Sequence, residues 1–232
     1  MYDFVRRRSK KYYSKMLGQI DLILFRDALI NPPMPSGRKK EFVEEQVLEK
    51  AAIQFAAYGF TGTTLADLEA TMGIGRQSIY EAFGDKRSLY RTCLEQYRQV
   101  VVQPLLKMIQ EAPGIEEIAQ TVLETARRCA LEKPSHCGLI LGTLVELQSG
   151  EPELAKIGEA MLESIHAELL AGLTQGVGKG TMTQSASPDE MSALLMSSFL
   201  GVLALARGRR SIQWVNAAAD QSLAAFRKLL AA

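Results

Sequence analysis

The sequence predicts an all-α fold, and three observations predict it. From Glu41 onward apolar residues recur three and four positions apart instead of alternating. The patterned segments are separated by glycines, prolines and capping residues, the signals that start and stop helices. The segments do not repeat one another, so a series of distinct helices is expected and not a solenoid.

The first helix carries Val47, Leu48, Ala51, Ala52 and Phe55 on one face. It stops at Tyr58-Gly59-Phe60, where Gly59 can take the left-handed conformation that ends helices, and Phe60 turns back onto the core. Thr64, with Asp67 three residues on, approximates a capping box and opens a short second helix that buries Leu65, Leu68 and Met72. After a tight Gly73-Ile74-Gly75 turn, a third short helix runs from about Arg76 to Phe83, with Ile79 and Phe83 on its inner face and a polar outer face. Asp85 caps a long fourth helix, Lys86 to about Ile109, whose Leu89, Cys93, Leu94 and Tyr97 point inward. Further helices are expected over Ile115 to Leu131, Ser135 to Gln148, Pro152 to Val177, Pro188 to Arg207 and Ser211 to Leu230.

The expected organisation is a basic extension and linker over 1–37, poorly ordered, a three-helix domain over 38–85 and a larger helical domain over 86–232. Residues 1 to 40 hold ten Lys or Arg against three acids, although the whole chain carries a net charge of only +1. Asp21, Arg26 and Asp27 interrupt the apolar run from Leu17 to Ile30, which argues against a signal peptide; a loose extension, or a true start at Met34, is the reading preferred. The run from Pro32 to Gly37 is a turn-rich linker.

Composition excludes several classes. With 232 residues, 47% of them hydrophobic and 23% charged, disorder throughout is ruled out. No stretch of about 18 consecutive apolar residues appears, so no membrane span is expected. Three widely spaced cysteines form neither a closed disulfide framework nor a zinc site, which fits a reducing cytoplasm. No cofactor and no metal are expected, and His136 and His166 lack ligand spacing. The Gly176-Val-Gly-Lys-Gly-Thr stretch departs from a phosphate-binding loop in lacking its first glycine and the Ser or Thr after Lys179. No catalytic residue is assigned; a thiol-dependent enzyme or redox protein using Cys137 remains as a rival that requires Cys137 to be accessible and near a base.

Two short helices joined by a glycine-containing turn, the second with an exposed polar face, have the dimensions of a helix-turn-helix, as do parts of any three-helix bundle. Arg76 and Gln77 open the third helix at the end that would enter a major groove, where Arg can pair with guanine and Gln with adenine. Ser78 lies on or near the same face. Glu81 does too, but a carboxylate is repelled by phosphates, and it is left out. Thr64 can offer its hydroxyl and a helix N-terminus to a phosphate, or act as a plain cap. Arg38 and Lys39, with Lys40, can lie along phosphates or reach into a minor groove, or form a solvated charge run.

The stretch from Gly59 to Leu89 combines Gly-Phe-Thr-Gly-Thr-Thr-Leu-Ala-Asp-Leu, Met-Gly-Ile-Gly-Arg-Gln-Ser-Ile-Tyr and Phe-Gly-Asp-Lys-Arg-Ser-Leu at fixed offsets. It closely resembles the DNA-binding domain of the TetR repressor family, over about 50 residues from Arg38 to near Tyr90. The resemblance implies a homodimer on double-stranded, palindromic operator DNA, released by a small hydrophobic or amphipathic ligand. It matches Tyr80 to a tyrosine that bonds a backbone phosphate and Lys86 to a phosphate-contacting lysine, although Tyr80 also reads as partial core and Lys86 as a surface charge. Glu81 and Ala82 stand where many members carry a histidine or aromatic residue, so one backbone contact is expected to be missing.

The resemblance also implies that the last two helices of each subunit form a four-helix interface, for which Met191, Leu194, Leu195, Ser198, Leu203, Ala204, Trp214, Val215, Ala218, Leu223, Phe226 and Leu230 are candidates, unless these faces pack only within the monomer. A ligand cavity would then lie among the middle helices, lined by Tyr97, Val101, Leu105, Leu123, Leu139 and Leu144, each of which also reads as ordinary core. Cys137-Gly138-Leu139 resembles a Gly-Cys-Leu stretch common in one branch of the family with the first two residues exchanged, which weakens any transfer of cysteine sensing. An activator or constitutive DNA-binding protein without a ligand is the nearest rival.

Overall fold

A computed structural model of the chain describes residues 44–132, 134–147, 150–178, 187–208 and 211–231, and among them every regular element is helical. The extension and linker expected over 1–37, together with Arg38 and Lys39, lie outside the described residues.

Three helices come first: α1 (Glu44–Tyr58), α2 (Leu65–Met72) and α3 (Arg76–Phe83). α1 ends where Gly59 takes φ +79° and its N–H reaches back to the Phe55 carbonyl at 2.8 Å. The capping box at α2 is complete: the Thr64 hydroxyl accepts from the Asp67 N–H at 3.2 Å, and the Asp67 carboxylate accepts from the Thr64 N–H at 2.8 Å. α4 (Lys86–Tyr97) begins at Asp85, whose carboxylate accepts from the Ser88 N–H at 2.7 Å.

The single helix expected from Lys86 to about Ile109 stays right-handed throughout but widens into a π-turn over Arg98–Val102 before continuing as α5 (Gln103–Gln110). Pro104 gives the reason. It has no N–H to donate to the Val100 carbonyl and its ring would crowd that carbonyl, which the wide turn moves aside.

The chain then forms α6 (Ile115–Glu132), α7 (Pro134–Glu146), α8 (Pro152–Gly178), α9 (Pro188–Arg207) and α10 (Ile212–Ala231). α6 packs on α9 and runs antiparallel to α10, because Arg127 pairs with Asp220 while Glu116 pairs with Arg227. One apolar core joins the three-helix unit to the helices that follow. At the junction Tyr90 of α4 meets Phe55 and Phe60 edge to face, with ring centroids 4.8 and 5.2 Å away.

The surface expected for dimerisation divides in two. Met191, Leu195, Leu203, Val215 and Phe226 are buried within the protomer. Leu194, Ser198, Ala218, Leu223 and Leu230 are half-buried, Ala204 and Trp214 are exposed, and a Cβ added at Gly201 would meet nothing within 4 Å. α9 is thus apolar on its inner face and small or apolar on its outer one, which makes it the one helix among the described residues long and apolar enough to cross a membrane.

Candidate nucleic-acid interface

The eight residues of α3 sort by helical period. Ile79 and Phe83 anchor it in the core, while Arg76, Gln77, Tyr80 and Glu81 line one open hollow on the outside, with Tyr80 46% exposed. Ser78 is half-buried and is not among the residues that line the hollow.

Gly75, the residue before α3, has no side chain with which to cap it. Glu69 of α2 takes that place. Its carboxylate accepts from the Arg76 N–H at 2.7 Å and stands 3.5 Å from the Arg76 Nε. The Gln77 amide in turn donates to Glu81 at 2.8 Å. Both candidate base readers are therefore held by carboxylates that a base edge would have to replace, and exposed pairs of this kind are weak enough to be exchanged. Sequence reasoning missed Glu69 and set Glu81 aside; Glu81 was within reach, since it lies four residues after Gln77 on the same helix face.

Thr64 is exposed, but its hydroxyl donates to Asp67 at 2.6 Å, and that bond above all holds the Asp67 carboxyl below the usual carboxylate range. The Lys86 ammonium is folded inward: it donates to the carbonyls of Phe60 and Thr63, both at 3.0 Å, and lies 4.3 Å from the centre of the Phe60 ring. A phosphate would have the one remaining N–H of Lys86.

The six residues expected around a ligand sit in the core. Tyr97, Val101, Leu105, Leu123 and Leu139 are buried and Leu144 is half-buried. They line neither the hollow at α3 nor a groove of about 320 Å³ between α5, the start of α6 and α8 that includes Ile109, Ile118, Glu168 and Gly172. Burial pushes the Tyr97 phenol well up, with Cys129 and Cys137 adding to the effect. Cys137 is 0% exposed and burial raises its thiol, so the accessibility that a thiol enzyme requires is missing.

The sequence profile described as bacterial regulatory proteins, tetR family, matches residues 47–93, from α1 into α4. An uncharacterized HTH-type transcriptional regulator of Bacillus subtilis (strain 168), YezE, is 30% identical over 161 residues, which is 68% of this chain and 81% of that protein. The HTH-type transcriptional repressor BdcR of Escherichia coli (strain K12) is 30% identical over 92 residues, spanning 40% of this chain and about half of BdcR, 47%. Among solved structures, a TetR family regulator from Agrobacterium tumefaciens superposes with a TM-score of 0.68 at 18% identity, over 77% of this chain and 94% of that one. A cysteine mutant of the TetR family regulator CifR, complexed with 26 bp double-strand operator DNA, superposes with a TM-score of 0.62 at 23% identity, over 82% and 99%. At those identities the structures show a shared fold, an N-terminal helix-turn-helix domain followed by a helical C-terminal domain. With the sequence match to YezE extending well beyond the helix-turn-helix, the chain belongs to the TetR family of DNA-binding transcriptional regulators.

Proposed function

We propose that this protein is a cytoplasmic repressor that holds a palindromic operator as a homodimer and lets go of it when a small hydrophobic or amphipathic ligand binds. The observation that carries the DNA-reading part is the outer face of α3, where Arg76, Gln77 and Tyr80 stand together above the buried anchors Ile79 and Phe83. BdcR carries the name of a repressor, and CifR is seen on operator DNA. The outward face of α9 and α10 supports the homodimer, since Leu194, Ser198, Gly201 and Trp214 form an apolar and small-residue surface that a second copy would cover. Reading a genome with two half-sites about one helical turn apart calls for such a dimer. The assigned division at about residue 85 separates reader from sensor, and no enzymatic role is assigned.

A second reading, a DNA-binding regulator without a small-molecule inducer, is favoured by the close packing of Tyr97, Val101, Leu105 and Leu123. Binding of the full chain to randomised duplex DNA, followed by selection and sequencing, tests the first part. Arg76→Ala should relax preference at one base pair per half-site, at a cost of about 1–3 kcal/mol, and Tyr80→Phe should weaken all sites alike. Failure to enrich any paired site would remove the proposal. Titrating the recovered operator complex with a library of hydrophobic and amphipathic small molecules decides between the two readings, because release by none of them leaves the second.

A further inference from the structure

The turn that joins α1 to α2 is gripped from the far part of the chain. Glu146, the last residue of α7, spends both carboxylate oxygens on it: one accepts from the Phe60 N–H at 3.1 Å and the other from the Thr61 N–H at 2.5 Å, across 86 and 85 residues of sequence. Gly59 leaves room for this, since a Cβ there would overlap the Glu146 carboxylate.

The same helix is fastened at other levels. At Gly138 the α7 backbone passes so close to α1 that a Cβ would overlap the Ala56 carbonyl. Thr143 shares a 2.8 Å hydrogen bond with Tyr90 of α4. The Gly138 carbonyl accepts from Arg207 near the end of α9. α7 therefore ties the partner-facing helix α9 to the reading domain without passing through α4.

We propose that Glu146 is a positioning residue that fixes the tilt of the reading domain on the C-terminal domain, and through it the separation of the two α3 helices in a dimer. The C-terminal domain joins α1–α3 covalently only at Asp85, so the tilt is set by the packing of Ala56 on Gly138 and of Phe60 on Tyr90, and by the Glu146 bonds at the turn. A carboxylate bonded to two successive N–H groups defines a direction as well as a distance, and charge-assisted bonds of this kind are the strong ones. The inference rests on the homodimer reading above, because separation has meaning only for two half-sites.

The test uses the full chain as wild type, Glu146→Ala, Glu146→Gln and a control, Phe199→Leu, which loosens a buried position on α9 away from the turn. Each is titrated against the operator recovered from selection, against the same operator with one base pair added or removed between half-sites, and against a single half-site. One base pair turns one half-site about 35° relative to the other, so a rigid dimer discriminates against it. The wild type should show a clear spacing penalty. Glu146→Ala should lose about tenfold or more of it while keeping its affinity for the single half-site. Glu146→Gln, with one acceptor oxygen left, should lie between, and Phe199→Leu should keep the penalty even if its melting temperature falls as far. Hydrogen exchange should accelerate at both the Phe60 and Thr61 amides in Glu146→Ala, at the one left without an acceptor in Glu146→Gln, and at neither in Phe199→Leu. An unchanged spacing penalty, a loss shared with Phe199→Leu, or unchanged exchange at those two amides overturns the proposal. A wild type that selects only single half-sites refutes the homodimer instead, and the exchange measurement then judges Glu146 alone.

Discussion

Thr143→Val, set beside Tyr90→Phe, tests whether the joint between α4 and α7 is a directed hydrogen-bond chain. The Thr143 hydroxyl lies 2.8 Å from the Leu139 carbonyl, which can only accept, and 2.8 Å from the Tyr90 hydroxyl, which can do either; the arrangement under test sends the Thr143 proton to Leu139 and the Tyr90 proton to Thr143. Tyr90 is 1% exposed and its phenol is pushed up to about 12, chiefly by burial. Valine matches threonine in shape but cannot accept, which leaves the Tyr90 proton with only the Leu139 carbonyl at 3.5 Å. A buried donor stranded in this way costs about 1–3 kcal/mol, which lowers the melting temperature by about 2–12 °C for a chain of this size. Tyr90→Phe removes the donor and strands nothing, because Thr143 keeps Leu139, so it should cost only about 1 kcal/mol. The double variant should resemble Tyr90→Phe alone. Urea unfolding followed by helical circular dichroism, at one fixed protein concentration so that association does not shift the baseline, measures all three. If Thr143→Val costs no more than Tyr90→Phe, or if the two effects add, the direction assigned to the chain is wrong.

Gly138→Ala should destabilise by about 1–3 kcal/mol, read from the melting temperature, because the added methyl meets the Ala56 carbonyl, a piece of backbone that cannot swing aside. Acid should loosen the reading domain early. Asp67 is held below its usual range mainly by the Thr64 side chain, and Asp85 mainly by the Ser88 N–H, so the stability they add is present above the carboxylate range of the unfolded chain, about pH 4, and is lost as pH falls through the lower folded values. Melting temperature against pH should therefore fall below about pH 4, and less steeply for Asp67→Asn with Asp85→Asn; equal slopes would refute the assignment.

The helix boundaries of the reading domain were legible because the devices that set them are local. Gly59, Thr64 with Asp67, and Asp85 each act within four residues, and each does what its spacing implies. The π-turn was legible in principle from Pro104, but amphipathic periodicity alone reads straight through it. Glu146, Glu69 and the inward turn of Lys86 were not legible. Each acts on a group brought near by the fold, and surface charge is what a Glu or Lys shows in one sequence. The α9 and α10 surface was half legible for a related reason: helical period identifies an apolar face, yet on a helix apolar on both sides it does not say which residues face the core.

Among its described residues, the reading domain carries little free positive charge on its outside. Between residues 44 and 83 two basic side chains stand against six acidic ones. Arg76 faces Glu69, and Lys86 is folded into its own chain. Affinity for DNA of any sequence comes largely from cations that release counterions, each phosphate so neutralised steepening the fall of log K with log salt by about 0.9. This surface supplies few of them, so the described part of the reader should bind random sequence weakly and rely on base contacts. Its search of the genome should then run through short encounters and long intervals in solution, with sliding left to whatever hold the ten basic residues within 1–40 add.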